Sequence, residues 1–405
     1  MSRTLHLPYL SSALERAASP TTLSAEAAYS TSRASTDDLS RNVYGLLGLS
    51  VDAIDFATLL QSLEAATERA SPFLISTPNV NFLVTSQRNS EFRESVLLSD
   101  LSLADGMPLI WIAKLLRIPI SERIAGSDLF GRLKSMAGKA HRLKIFLIGG
   151  ADGVAETVRK KLNAEKCGLE CVGVLNPGFG TTEEMSAKPI IDTINSAQPD
   201  LLAVSFGAEK AQAWLMHNHR RLRAPIRAQF GATFNFEAGV VKRAPHFLRS
   251  TGFEWLWRIK EEPYLWRRYW NDGKVLFELM ITCVLPLVID ARWRRREPNG
   301  LFVRVKEDAH TCVVDLSGDA VGLHADRAIP YFRNVLNTGK QVTVDISKTR
   351  SIDPRFFGLF LMVRKHLASQ GEHLSFTGVS HETRRMFRLN RFEFLLHTSV
   401  IPGKD

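Results

Sequence analysis

Between residues 44 and 239 the chain alternates short apolar runs with longer amphipathic stretches, and this alternation restricts the fold more than any other feature. Lys144-Ile145-Phe146-Leu147-Ile148-Gly149-Gly150 is apolar at consecutive rather than alternate positions and ends in glycines. A strand of that kind is covered on both faces. Residues 73–77, 170–174 and 200–207 also read as strands, and 80–88, 154–162 and 210–218 as helices. Repeated strand–helix units imply an α/β fold with a parallel sheet and helices on both faces. Ligands bind such sheets beyond the carboxyl ends of the strands, so the residues just after each strand are the candidates for chemistry.

The flanks read differently. At 405 residues the chain is long enough for two or three domains. Residues 1–42 are rich in Ser, Thr and Ala and too poor in large apolar groups to offset their ordering entropy. They are expected to be a disordered tail with a short helix near 10–18. Residues 43–242 form the α/β core. Residues 243–297 form a basic, aromatic appendage in which Trp255, Trp257, Trp266, Trp270 and Trp293 interleave with Arg249, Arg258, Arg267 and Arg268. Pro298-Asn299-Gly300 reads as a linker, and 301–400 as a second α/β unit. In that unit strands are expected at 303–305, 311–316, 341–345 and 373–377, with helices at 325–337, 356–369 and 382–388.

The formal net charge is +10, and residues 242–296 carry 12 Lys+Arg against 6 Asp+Glu. More than half of the excess therefore lies in about an eighth of the chain, beside tryptophans. Arg attracts anionic lipid and diphosphate, while Trp and Tyr favour the bilayer interface. No nucleic-acid-binding fold accompanies the charge, so nucleic acid is not expected as a partner. The apolar run 275–289 is too short to cross a bilayer and is broken by Glu278, Thr282 and Pro286. It is expected to lie in the interface or pack in a core. With no spanning stretch and no apolar leader at the N-terminus, a cytoplasmic protein is expected. Cys167, Cys171, Cys283 and Cys312 are scattered, as small buried side chains would be.

Three post-strand segments stand out. Thr77-Pro78-Asn79-Val80-Asn81 places polar side chains at a helix start, where they cap the helix or bind a ligand. Asp105, in Ala104-Asp105-Gly106-Met107-Pro108, is a general base or a turn residue. Gly149-Gly150 enters a helix and would let a pyrophosphate approach its N-terminus.

These segments continue in order through Glu122-Arg123-Ile124-Ala125-Gly126-Ser127-Asp128, Asn176-Pro177-Gly178-Phe179-Gly180, Phe206-Gly207-Ala208-Glu209-Lys210, 231–239, Val241-Lys242-Arg243-Ala244-Pro245 and 252–258. Together they resemble the WecG/TagA/CpsF glycosyltransferases over roughly residues 44–270. The resemblance implies a Rossmann-like core and an inverting enzyme that moves a sugar from a UDP-sugar to a polyprenyl-diphosphate-linked saccharide in surface-glycan assembly. It implies Asp105 as general base, with Thr77, Asn79 and Asn81 in the same pocket. Gly149, Gly150, Gly178 and Phe179 would lie near the nucleotide, and Gly207, Lys210 and Gln212 would also contribute. Arg243, Arg258, Arg267 and Arg268 would hold phosphates, from an appendage that touches the inner face of the cell membrane. No cofactor or metal is implied; helix N-termini and arginines would stabilise the leaving UDP. Two positions depart from the family pattern. Pro-Lys-Gln-Glu is replaced by Glu209-Lys210-Ala211-Gln212, and Asn235 stands where Asp is common.

Residues 301–397 resemble a STAS domain. In phosphorylated STAS proteins a Ser or Thr follows the Asp that corresponds to Asp353, whereas here Pro354-Arg355-Phe356 follows. The resemblance therefore implies docking of a protein partner rather than a phospho-switch. The Ala211 departure supports an alternative, a catalytically weakened scaffold acting through this unit.

Overall fold

The computed structural model describes residues 37–136, 142–165, 168–293 and 299–397. The tail expected at 1–36, its helix at 10–18, Cys167, the side chain of Trp293 and the arginines at 294–296 lie outside the described residues. Residues 37–42, expected to belong to the tail, are instead ordered. Asp37 caps a short turn at Asp38–Ser40, and Asp38 and Leu39 are buried.

Strands β1 (Val43–Leu46) and β2 (Leu49–Asp52) form an antiparallel hairpin. A six-stranded, wholly parallel sheet follows, made of β3 (Phe73–Ser76), β4 (Leu101–Ser102), β5 (Leu143–Gly149), β6 (Leu169–Leu175), β7 (Leu201–Ser205) and β8 (Ile226–Gln229). Its order is β4-β3-β8-β7-β5-β6. Period-two alternation explains its two cores. Ile145, Leu147, Leu201 and Ala203 pack into the layer on one face, while Phe146, Ile148, Leu202 and Val204 pack into the layer on the other. From β3 the chain steps outward to β4; from β5 it steps outward to β6 at the opposite edge. The crevice expected of such a reversal lies between, over β8 and β7. The hairpin and β8 were not legible in the amino-acid pattern. Each has four residues or fewer, and β8 carries Arg227 and Gln229, buried polar residues that break an apolar run.

The appendage runs through helices His246–Ser250 and Glu254–Glu261 into a continuous rod from Trp266 to Trp293. The rod contains one π turn, Met280–Val284. That turn falls just before Pro286, whose ring would clash with the carbonyl four residues back in a regular helix. Residues 275–289 pack in a core along one side only. Leu279, Cys283 and Val284 are buried against Phe82, Leu109 and Ile110, while Phe277, Ile281, Leu285 and Ile289 are exposed.

The C-terminal unit is a four-stranded sheet, β12-β11-β10-β9, built from β9 (Phe302–Glu307), β10 (Thr311–Ala320), β11 (Gln341–Ile352) and β12 (Leu374–Thr377). Only the β9–β10 pairing is antiparallel. Its long helix, Pro354–Ser369, is capped by Asp353, which accepts from the N–H groups of Arg355 and Phe356. The unit is not loosely tethered. Leu39, Val43 and Leu97 join its core, and any side chain at Gly358 would collide with the Val43 carbonyl.

Candidate active site

The carboxyl ends of β3, β4, β7 and β8 open onto a cleft of about 1100 Å³. Register brings the first two loops together. Ser76 pairs with Ser102, Leu103 N–H donates to the Ser76 carbonyl (2.8 Å), and Asp105 N–H donates to the Pro78 carbonyl (2.7 Å). Thr77, Asn79, Asn81 and Asp105 therefore line one wall. Gly106, with φ of 97°, occupies a backbone region that favours glycine and turns the chain directly into helix Met107–Leu115. First-turn residues of five core helices line the cleft: Val80, Met107, Gly126, Ala208 and Thr233. Their N-terminal ends make the floor suited to an anion.

Asp105 keeps 24% of its side-chain surface open. Arg123 Nη1 lies 3.8 Å from its carboxylate, and the same guanidinium reaches Glu254 at 3.1 Å and Asp128 at 2.7 Å. Burial pushes the Asp105 carboxyl up to about 7; Arg123 opposes the shift, and Glu254 and Asp128 reinforce it. A carboxylate tuned near neutrality is suited to accepting a proton from a substrate hydroxyl. Asp272 also lines the cleft; burial raises its carboxyl too, with Arg268 and a 3.4 Å hydrogen bond from Asn81 Nδ2 opposing. Asn79 is both cap and wall: its Oδ1 accepts from Phe82 N–H at 3.2 Å. Gln229 donates from Nε2 to Thr77 Oγ1 at 3.3 Å, and its buried Oε1 has no partner among the described residues, which leaves an acceptor for a ligand.

The appendage closes the far side. Arg258 and Arg268 line the cleft, together with Arg249, Glu254, Trp266 and Trp270. Arg258 pairs with Glu262 at 2.5 Å and lies over the Phe236 ring.

Several expected residues lie elsewhere. Gly149 and Gly150 do not line the cleft, because Phe206 covers the end of β5; a Cβ on Gly149 would sit 2.5 Å from that ring. Gly178 and Phe179 follow β6 at the sheet's outer edge, where Phe179 is fully exposed. Of the helix Ala208–His217, Gly207 and Ala208 reach the cleft, whereas Lys210 and Gln212 do not. Gln212 is buried beneath, donating to Ser76 Oγ. Arg243 is set back, bonded to Ser127 (2.9 Å) and Asp128, and Arg267 lies over the Trp266 ring outside the lining. Ala211 is a core residue packed with Leu74 and Phe146, so its departure from the family pattern alters packing rather than the cleft wall; Asn235 does line the cleft. Arg123, Gln229, Glu254 and Asp272 were not singled out from sequence. Arg123 lay inside a recognised motif, but Gln229 carried no local signal.

A family model described as glycosyl transferase WecG/TagA/CpsF matches residues 44–287, more than half of the chain. A second, described as Mlab, STAS domain, matches residues 303–397. Among curated proteins the chain is similar to three named N-acetylglucosaminyldiphosphoundecaprenol N-acetyl-beta-D-mannosaminyltransferase. The Bacillus spizizenii protein is 26% identical over 215 residues, covering 53% of this chain and 80% of that one. The Bacillus subtilis protein is 28% identical over 196 residues, covering 48% and 74%. The Staphylococcus aureus protein is 22% identical over 225 residues, covering 55% and 85%.

Proposed function

The chain belongs to the WecG/TagA/CpsF family of glycosyltransferases, and we propose that it moves an N-acetylhexosamine-type sugar from a UDP donor, with inversion, onto a polyprenyl-diphosphate-linked saccharide. The names of the relatives support an acceptor of that class. The observation that carries the mechanism is the carboxylate of Asp105, raised to about 7, in a cleft shared with Thr77, Asn79 and the N-termini of five core helices. In this reading the Asp105 carboxylate takes the proton of the acceptor hydroxyl as that oxygen bonds to the anomeric carbon. The bond from that carbon to the donor's phosphate oxygen breaks, and UDP departs with the electron pair. Helix N-termini, with Arg258 and Arg268, stabilise the charge on the leaving diphosphate. Arg123 keeps Asp105 oriented and leaves it basic because its own charge is shared with Asp128 and Glu254.

The proposal includes a peripheral position on the inner face of the cell membrane. Trp266, Trp270 and Phe277 line the cleft and are largely exposed, and Ile281, Leu285 and Ile289 continue an apolar stripe away from it. A lipid-linked acceptor would then reach Asp105 without leaving the interface.

Following UDP release with a panel of UDP-sugars and a polyprenyl-diphosphate-linked N-acetylglucosamine tests the reading. Asp105→Asn is expected to lose roughly 10²- to 10⁴-fold in kcat. Equal silence of wild type and variant across the panel would sink it.

A further inference from the structure

The C-terminal unit meets the transferase unit at a buried cluster of charges that ends on the strand leading to Asp105. Lys365, on helix Pro354–Ser369, is 1% exposed. Its ammonium donates to Asp100 Oδ1 (3.1 Å), the Ser99 carbonyl (2.9 Å) and Asp38 Oδ1 (3.3 Å). Asp100 grips β3 in turn: its Oδ2 accepts from Leu74 N–H (2.9 Å), and its own N–H donates to the Leu74 carbonyl (2.8 Å). The pairing with the β3 side then continues through Leu103 to Asp105. Alongside, Asp52 accepts from Ser102 N–H at 2.7 Å and is held by Arg41 at 2.8 Å. One cation of the C-terminal unit thus anchors the first residue of a short segment whose last residue is Asp105.

A module that merely displays a docking surface has no need of a desolvated lysine, and a buried ammonium is tolerated only in a fixed geometry of oxygens. The helix that carries Lys365 is also occupied within the chain. Gly358 lies against the backbone of Val43, and Arg355 donates to the Val43 carbonyl at 2.9 Å. We propose that the C-terminal unit acts in cis as a brace on the transferase core, with Lys365 as a positioning residue for the Asp105 carboxylate. This rests on the reading of Asp105 as the base.

Amide hydrogen exchange and steady-state kinetics on the full chain test it together. In Lys365→Met, exchange at the Leu103 and Asp105 amides is expected to rise at least about tenfold, with β5 unaffected. The kcat is expected to fall by roughly ten- to hundredfold with the donor KM within about twofold, since small displacements at a reacting group are read in kcat. Lys306→Gln, on an exposed strand of the same unit, leaves both unchanged. A lowered melting temperature with wild-type exchange at 101–105 and wild-type kcat would overturn the proposal and leave Lys365 a purely structural residue. Should Lys365→Met not fold, the paired Lys365→Met/Asp100→Asn chain, which has no unmatched buried charge at this pair, gives the same two readouts. If the wild type turns over no UDP-sugar, exchange alone decides the brace, so failure of the transferase reading is seen separately.

Discussion

In the proposed reading Asp105 is the base, and its surroundings compete. Burial disfavours its charge, Arg123 favours it, and burial prevails. A base must be ionised to work, so kcat/KM is expected to rise with pH across an acid limb near 7; a limb near 4 would remove the tuned-base argument. The same shift has a cost in stability. Between about pH 4 and pH 7 the folded chain holds a proton that the unfolded chain has lost, so this group's contribution falls as pH rises through that window. Asp105→Asn is therefore expected to raise the melting temperature by about a few °C at pH 8 and not at pH 4, measured by thermal denaturation. Gln229 acts through a neutral hydrogen bond. Replacing it by Leu removes the acceptor at Oε1, and the donor or acceptor KM is expected to rise roughly three- to tenfold with a smaller change in kcat.

At the scale of elements, the rod from Trp266 to Trp293 divides its duties by face. Leu279, Cys283 and Val284 fasten it to the core, so deleting the segment would open the cleft as well as remove the stripe. Substitution on the exposed face is the cleaner probe. Ile281 is 50% exposed and Leu285 48%, and each large apolar side chain transferred out of water contributes about 1.5–3 kcal/mol. Ile281→Ser, Leu285→Ser and Ile289→Ser together are expected to reduce flotation on vesicles containing anionic lipid at least about tenfold. Undiminished flotation would place the membrane contact elsewhere. The strand ends show the complementary lesson. Gly149-Gly150 has the local form of a phosphate-binding turn, yet Phe206 packs against Gly149, and the turns that line the cleft are those of β3, β4, β7 and β8.

Across the whole molecule, the two units share a core. Leu39, Val43 and Leu97 pack with Phe356, Phe357 and Phe360, and Gly45 permits Phe357 and Phe392 to stack 4.9 Å apart against the hairpin. Such units are expected to unfold as one. Calorimetry should give a single endotherm, and Val43→Ala should lower it as a whole by deleting buried methyl groups; two separable transitions, with only one displaced, would contradict this. Much of the architecture was legible in the chain itself. Apolar runs such as residues 145–148 determine buried parallel strands because burial on both faces demands unbroken apolar side chains, and the motif order from Thr77 to Arg258 determines the family. The cleft wall was half legible: Thr77, Asn79 and Asp105 follow strands, which local pattern reveals. What only the tertiary structure decided is which strand ends face one another, that Gln229 joins Thr77, and that Lys365 meets Asp100 across 265 positions of chain. Periodicity reports how a residue relates to its neighbours along the backbone, whereas hydrogen bonds and ion pairs between distant segments depend on sheet order and on how the two units pack.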